Sequence, residues 1–386
     1  MNAATAIELR CPPLPLVRIG LVGLGYRGMK TLKRYGILRH AEIRAIADTD
    51  EAKVHAAQEE LRRSGRPEAA AFRGEGGWKA ICEDAGIDLL YVCTDWSTHA
   101  EMAVRAMECG KHVAVEVPAA TTVDECHALV STAERTRRHC FMTENCCYDS
   151  FALATLEMAR QGRYGDITHC EGAYIHRIGD ETPWMSRIYA THGGNPYPTH
   201  GLGPIGWLLG LHRGDRMESL VSMTAAAEGP NNTLIRTAKG RTILLQLDTS
   251  TPRPYSRLQT ICGTEGYSQR YPLPTLQFGT DEPLSGDDAL REAARWLTSD
   301  AARRWQRGNQ LGVPNEMNYA MDSRLIHCLH NGLPLDIDVY DAAEWSCIAE
   351  LSQQSARRGG TPTAIPDFTG GHWQVLREHQ FHRAGT

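Results

Sequence analysis

Short apolar runs alternate with amphipathic segments along the first 150 residues. Val17 to Val22 (VRIGLV) lies between prolines and glycines and predicts a buried parallel strand. A helix is expected from Tyr26 to about Tyr35, a strand over Glu42 to Ala47, and an Ala-, Glu- and Gln-rich helix over Glu51 to Arg63. The pattern then gives a short helix over Trp78 to Glu83, a strand over Leu89 to Cys93, and a helix over His99 to Glu108 that ends at Gly110. Val113 to Val115, Val123 to Thr136 and Cys140 to Thr143 complete the series as strand, helix and strand. Strands and helices in strict alternation mean parallel βαβ units.

The rhythm changes after about Ser150. One more helix is expected over Ala152 to Gln161. Longer stretches then alternate with period two: His169 to His176, Glu218 to Ala226, Thr233 to Thr237, Thr242 to Asp248 and Leu258 to Cys262, with a hairpin at Lys239-Gly240. Late helices are expected over about Asp287 to Trp305, Asn315 to Asn331 and Asp341 to Arg357. The expected class is α/β: an N-terminal Rossmann parallel sheet over 17–150, then an α+β domain with a mostly antiparallel open sheet over 151–373. Residues 1–16 read as a loose leader and 374–386 as a tail.

Composition narrows the function classes. The 386 residues carry 41 Lys and Arg against 46 Asp and Glu, a net charge of −5, and no long basic run, so nucleic acid and anionic membrane are not expected partners. No apolar run reaches the length of a membrane span, and Met1 to Leu16 lack the pattern of a secretory signal. The 12 cysteines form no CxxC pairs, which fits free thiols in a reducing cytoplasm. With no HxxxH or HxH pair, no metal site is expected, and Cys146 and Cys147 are expected to pack rather than react. His169, His176 and His192 are left as structural or loop residues.

Candidate chemistry starts at Gly23-Leu-Gly25-Tyr-Arg-Gly28, which follows the first strand and opens a helix. Gly23 permits the turn, Gly25 lets a pyrophosphate reach the backbone, and Gly28 lets helix and strand approach. The helix N-terminus supplies free N–H groups. Asp48 ends the second strand, where a carboxylate accepts the ribose hydroxyls and repels a 2′-phosphate, so NAD is favoured over NADP. Thr94-Asp-Trp-Ser-Thr-His99 and Glu116-Val-Pro118 follow the third and fourth strands, at the carboxyl edge where ligands bind.

These strings resemble the Gfo/Idh/MocA superfamily of NAD(P)-dependent oxidoreductases, with Val117 where that family's E-K-P motif has lysine. The second half is similar to family 109 of the glycoside hydrolases through Glu144-Asn-Cys-Cys-Tyr148, Glu171-Gly-Ala-Tyr-Ile-His176 and Tyr197-Pro-Thr-His-Gly-Leu-Gly-Pro204. Pro252 to Arg257, Leu333 to Asp341 and Pro366 to Gly370 extend the similarity, which runs from about Val17 to Trp373.

The resemblance implies an α-N-acetylgalactosaminidase-like enzyme that holds NAD tightly and recycles it. It implies oxidation of the sugar at C3, elimination across C1 and C2, addition of water and re-reduction. The implied cofactor set is Tyr26, Arg27, Asp48, Trp96, His99, Glu116, Val117 and Asn145, beside the glycines and Thr94. The implied sugar set is Tyr174, Arg187, Tyr197, Pro198, Thr199 and His200, with Glu144 and a tyrosine near Tyr271. His200 is expected at the 3-hydroxyl, Tyr174 or Tyr197 at C2, and Arg187 against the sugar. Three departures concern the substrate or its location: a shorter loop between His176 and Trp184, Pro314-Asn-Glu-Met-Asn318 before the late helix, and no export signal. A sugar or polyol dehydrogenase and a non-catalytic NAD- and sugar-binding protein stay open as alternatives. An apolar sheet face without cover predicts a homodimer or homotetramer.

Overall fold

The computed structural model describes residues 5–178, 183–225, 229–313 and 316–383. β1 (Val17–Val22), β2 (Ala41–Asp48), β3 (Ala70–Arg73), β4 (Leu89–Val92), β5 (His112–Val115) and β6 (Cys140–Met142) form one sheet in the order β3-β2-β1-β4-β5-β6. Every pair in it is parallel. The crossovers are α1 (Tyr26–Tyr35), α2 (Glu51–Arg63), α3 (Gly77–Glu83), α4 (Trp96–Glu108) and α5 (Val123–Thr136). Strand order reverses between β1 and β4, so the carboxyl ends of these two strands open a crevice.

β3 was not anticipated, because AAFR is largely exposed at the sheet edge and carries no apolar run. α4 begins three residues before the expected start, since the Asp95 side chain accepts the Ser97 N–H and caps the helix there.

The chain leaves β6 through a 3-10 turn, Asn145–Tyr148, into α6 (Ser150–Arg160), β7 (Ile167–Ile175), α7 (Pro183–His192) and α8 (Thr199–Leu209). Then come β8 (Met217–Thr224), β9 (Asn231–Thr237), β10 (Thr242–Asp248), β11 (Ser256–Gly263), β12 (Gly266–Gln269), β13 (Thr275–Phe278) and β14 (Leu284–Ser285). α9 (Asp287–Ala294), α10 (Ser299–Gln310), α11 (Glu316–Asn331), α12 (Val339–Arg357) and β15 (Thr363–Ala364) follow. The second sheet runs β14-β13-β12-β11-β7-β10-β9-β8-β15, and β7 with β10 is its parallel pair. The expected single helix over Asp287 to Trp305 is two, because Thr298 caps a new start for α10. No helix among the described residues is long and apolar enough to cross a membrane.

α7 and α8 escaped the sequence pattern. α8 reads THGLGPIGWLL, with three glycines and an internal Pro204, which gives it poor intrinsic helicity. Packing stabilises it instead. A Cβ on Gly172 of β7 would stand 2.2 Å from the Gly201 carbonyl oxygen, so helix and strand touch backbone to backbone. One turn on, α8 rests on α12, where a Cβ on Gly206 would stand 2.8 Å from the Trp345 indole nitrogen.

The segment expected to be a loose leader is docked over its described part. Ala6, Leu9 and Cys11 are buried, the Ala6 N–H donates to the Tyr340 hydroxyl (2.9 Å), and the Leu14 N–H donates to the Leu329 carbonyl (3.1 Å).

Gly172→Ala places a methyl against backbone that has no side chain to move aside. A loss of about 1–3 kcal/mol is expected in denaturant unfolding. Unchanged stability would mean that β7 and α8 can separate freely.

Candidate active site

The glycine loop after β1 has the geometry of a dinucleotide cradle. Gly23 has φ +85, and a Cβ there would meet the Cys93 carbonyl oxygen at 2.5 Å. A Cβ on Gly28 would stand 1.8 Å from the Gly23 carbonyl oxygen. Gly25 differs: nothing lies within 4 Å of where its Cβ would be, and as N-cap of α1 it leaves the helix end without a side-chain cap. Open space above uncapped N–H groups is what a pyrophosphate requires. Asp48 accepts the Leu24 N–H at 2.6 Å and the Asp50 N–H at 2.9 Å, which fixes its carboxylate at the lip of the cradle. The residues therefore fit NAD.

Around the cradle, Arg27 pairs with Glu116 at 3.1 Å, and Val117 is buried beside it. Tyr26 is 73% exposed at the start of α1, with the Lys30 ammonium over its ring. Thr94 bonds Thr98 through their hydroxyls at 2.7 Å. His99 is fully buried, its Nδ1 2.8 Å from the Pro118 carbonyl and its Nε2 3.1 Å from the Thr94 carbonyl. It ties the loops after β4 and β5 together, and burial lowers its pKa.

Across the crevice, Glu144 follows β6, has no exposed surface and accepts the Cys146 N–H at 3.0 Å. His200, in the first turn of α8, donates from Nδ1 toward both Glu144 oxygens, at 2.8 and 2.9 Å. The glycines of α8 permit this approach: a Cβ on Gly203 would stand 2.8 Å from the Glu144 Cγ. Pro204 brings no N–H to the His200 carbonyl four residues earlier. His200 Nε2 lies 3.2 Å from the Tyr197 hydroxyl. Tyr197 in turn stacks on Trp96 of α4, with centroids 5.5 Å apart and planes at 21°. The Tyr174 ring is 4.8 Å from that of Tyr197 and 5.6 Å from that of His200, and its hydroxyl lies 3.0 Å from His176 Nδ1.

Charge follows from this packing. Burial alone would lower the pKa of His200, but Cys146 and the Glu144 carboxylate beside it bring it up to about 10. Burial would raise Glu144, yet His200 and the hydrogen bonds it accepts hold it below the usual carboxylate range. Burial pushes Tyr174 up to about 12 and Tyr197 well above its ordinary value. At neutral pH the centre is an imidazolium–carboxylate pair beside neutral phenols.

The other expected residues lie at varied distance from this centre. Pro198 and Thr199 are buried at the start of α8. Asn145 donates to Asn318 at 2.9 Å, so the altered late segment reaches the site; Pro314 and Asn315 of that segment lie outside the described residues, as do 179–182 of the shortened loop. Arg187 is exposed on α7. The Tyr271 hydroxyl accepts from Arg257 at 3.1 Å, and its ring meets Tyr255, which meets His176.

A model for the C-terminal domain of glycosyl hydrolase 109 matches residues 148–232 and 230–375, and one for an oxidoreductase family with an NAD-binding Rossmann fold matches 17–144. A glycosyl hydrolase family 109 protein of Phocaeicola vulgatus is 50% identical over 97% of this chain and 100% of its own length. The chain belongs to glycosyl hydrolase family 109. A Bacteroides fragilis protein named alpha-N-acetylgalactosaminidase is 49% identical over 95% of each chain. Among solved structures, a levoglucosan dehydrogenase in complex with NADH and L-sorbose has TM-score 0.72 at 18% identity over 91% of this chain and 99% of its own. An aldose-aldose oxidoreductase of Caulobacter crescentus has TM-score 0.71 at 18% identity, over 91% and 100%. These two similarities carry the fold.

Within this family 109 site, sequence reasoning missed Trp184 and Tyr189, whose rings meet Trp96 edge-on at 5.4 and 5.8 Å. The Tyr189 hydroxyl is buried with no hydrogen-bond partner among the described residues. It also passed over Arg257, which is buried and bonded to Asp149 at 2.8 Å, and set aside His176. The available signal was the density of aromatic residues between Trp184 and Tyr197, in a stretch that no strand or helix pattern claimed.

The raised pKa of His200 makes its proton stabilising. That contribution is present in full below about 6.5, the ordinary histidine value, and fades as pH rises through about 10. His212, lowered by burial but raised to about 9 by Glu344, behaves alike, so Glu144→Gln is the comparison that isolates His200. The stability gap between wild type and Glu144→Gln is expected to be widest near pH ~6 and to close toward pH ~10 in urea unfolding. A gap constant across that range would contradict the ion pair.

Proposed function

We propose that this family 109 chain hydrolyses glycosides of N-acetylgalactosamine by transient oxidation at C3, elimination across C1 and C2, addition of water and re-reduction. The observation that carries the reading is the pair of separate proton routes beside a dinucleotide cradle. Glu144, His200 and Tyr197 form one route, and Tyr174 with His176 forms the other. The proposed chemistry moves two protons in its first half, one from O3 and one from C2. Direct displacement at C1 instead uses two available carboxyl groups flanking the bond. Glu144, the carboxylate at this centre, is engaged through both oxygens with His200.

Bound NAD supplies a hydride acceptor at C3 and the hydride that restores the hydroxyl. Gly25, Asp48 and the uncapped end of α1 hold it. Trp96 carries Tyr197 on its face and so sets the distance between nucleotide lobe and sugar. His200 accepts the O3 proton at Nε2 once that nitrogen has released its own to solvent, to which the side chain is 12% exposed. Glu144 keeps the Nδ1 proton in place and offsets the charge that develops. Tyr174 removes the C2 proton, and His176 Nδ1 takes the phenol proton that Tyr174 must first lose. Arg187, with no ion pair among the described residues, orients the sugar and is the group nearest in kind to an acetamido or hydroxyl reader. The N-acetyl preference rests on the printed name of the Bacteroides fragilis relative.

A conventional sugar dehydrogenase is the second reading, and the fold of levoglucosan dehydrogenase favours it. Val117, buried where a lysine would stand in that chemistry, speaks against it.

Hydrolysis of nitrophenyl α-N-acetylgalactosaminide in deuterium oxide, without added NAD, separates these readings. Deuterium at C2 of the released sugar is expected, and Tyr174→Phe should lower its formation by about 100-fold or more. Release of sugar with protium at C2 would overturn the elimination route. Steady NADH production from free sugar and added NAD, without hydrolysis, would establish the dehydrogenase.

The proposal extends to assembly. Met223 and Leu234 on β8 and β9 are 64% and 43% exposed, and a dimer or tetramer would cover them. Light scattering should give a multiple of the chain mass, and a monomeric mass at micromolar concentration would sink the idea.

A further inference from the structure

Cys146 is a buried donor at this centre that the proposed chemistry leaves unused. It is 1% exposed and sits on the 3-10 turn two residues after Glu144, which accepts its N–H. Its side chain turns toward the same point as theirs: one donor atom each from Glu144, Cys146 and His200 lies within 4.8 Å of the other two. The sequence hid this, because Cys146 and His200 belong to a turn and a helix far apart in the chain.

We infer that Glu144, Cys146 and His200 form an inhibitory zinc site that switches off the hydrolysis proposed above, and the inference rests on that reading of the centre. One thiolate, one imidazole and one carboxylate make a mixed sulfur, nitrogen and oxygen set. Zinc takes such sets, whereas calcium and magnesium require oxygen. Three protein ligands with a fourth position open is the usual arrangement of an accessible zinc ion. Zinc bonds of about 2.0–2.3 Å put tetrahedral ligand atoms roughly 3.3–3.8 Å apart, so donors now within 4.8 Å of one another need shifts of only about 1 Å, with the 2.8 Å Glu144–His200 contact opening to admit the ion. Glu144 and Cys146 share one turn, and the His200 side chain, 12% exposed, faces them from α8. Arg257, buried and bonded to Asp149, is a nearby cation. On binding, Zn–S, Zn–N and Zn–O bonds form, the displaced thiol and ring protons leave to solvent, and no electrons move. The metal then occupies the ring that should receive the sugar proton, and Glu144 no longer orients it.

The test uses the purified full chain with its bound nucleotide, stripped of metal with EDTA. Cobalt(II) replaces zinc as a probe, because a cobalt–thiolate bond absorbs in the near ultraviolet and tetrahedral cobalt absorbs in the visible. One equivalent should give both bands, zinc should erase them, and Cys146→Ser should lose the near-ultraviolet band. In the glycosidase assay, each variant is compared with its own zinc-free rate. Wild type should lose activity at micromolar zinc, with Cys146→Ser needing about 100-fold more. Cys146→Ala, checked by thermal melting with and without zinc, should lack the zinc-dependent rise in Tm shown by wild type and so covers a poorly folded serine variant. No cobalt–thiolate band, equal zinc sensitivity in Cys146→Ser, or activity that EDTA abolishes and zinc restores would each overturn the inference. If no glycoside is hydrolysed the functional reading fails, and the cobalt bands still decide the metal site.

Discussion

The structure turns on a carboxylate that has no contact with water. Removing an ionised group from solvent costs several kcal/mol unless geometry and hydrogen bonds offset it. Glu144 meets that condition by facing one imidazole with both oxygens while also accepting a backbone N–H from its own turn. Neither partner has freedom to choose another place. Glu144 is held by the turn that ends the parallel sheet, and His200 by a helix pressed backbone to backbone on β7. The glycines of α8 are thus electrostatic residues in effect: each missing side chain shortens the path between the two charges. A helix with better intrinsic propensity would be bulkier and would stand further away.

The same seam is where the two sheets communicate. Trp96 belongs to the Rossmann side and Tyr197 to the side of the second sheet, and their rings stack. Arg34 of α1 pairs with Asp322 of α11 at 2.6 Å, both buried. Ser346 and Glu350 of α12 accept the Ala119 and Val123 N–H groups at 3.1 and 2.7 Å. The late helices therefore return to the nucleotide side and brace it, although the sheet they belong with lies elsewhere. Breaking one partner of a buried pair such as Arg34–Asp322 leaves the other charge stranded at a cost of about 3–5 kcal/mol.

Much of this was legible in the residues. Parallel strands are buried on both faces, so VRIGLV and LLYV announce themselves by composition alone. The glycine loop and Asp48 are local in sequence and needed only their flanks. Long strings such as Tyr197 to Pro204 gave the family by resemblance before any geometry was available. What stayed hidden was whatever packing decides. β3 is exposed, α8 has the composition of a loop, and residues 5–16 dock by contacts with Tyr340 and Leu329, over three hundred positions away. Tyr174 and His176 stand two apart at the end of β7, so the strand period puts them on one face, but only the structure shows that hydroxyl and ring nitrogen meet.

In the proposed reaction a cofactor is consumed and restored within one turnover, which places a demand on the fold that an ordinary dehydrogenase does not meet. In a dehydrogenase the nucleotide must leave, so the two sides must part. Here His99 ties the loop after β4 to the loop after β5, and the residues next along the latter bond to α12. α12 in turn lies against β8 of the second sheet and against α8, the helix that carries His200. Opening the crevice would thus strain the backbone that positions His200. A rigid seam suits chemistry in which the nucleotide stays and only the sugar comes and goes. Under the proposed chemistry the buried Glu144–His200 pair would then have a second use: it joins the turn after β6 to α8, so parting the two sides would also break an ion pair.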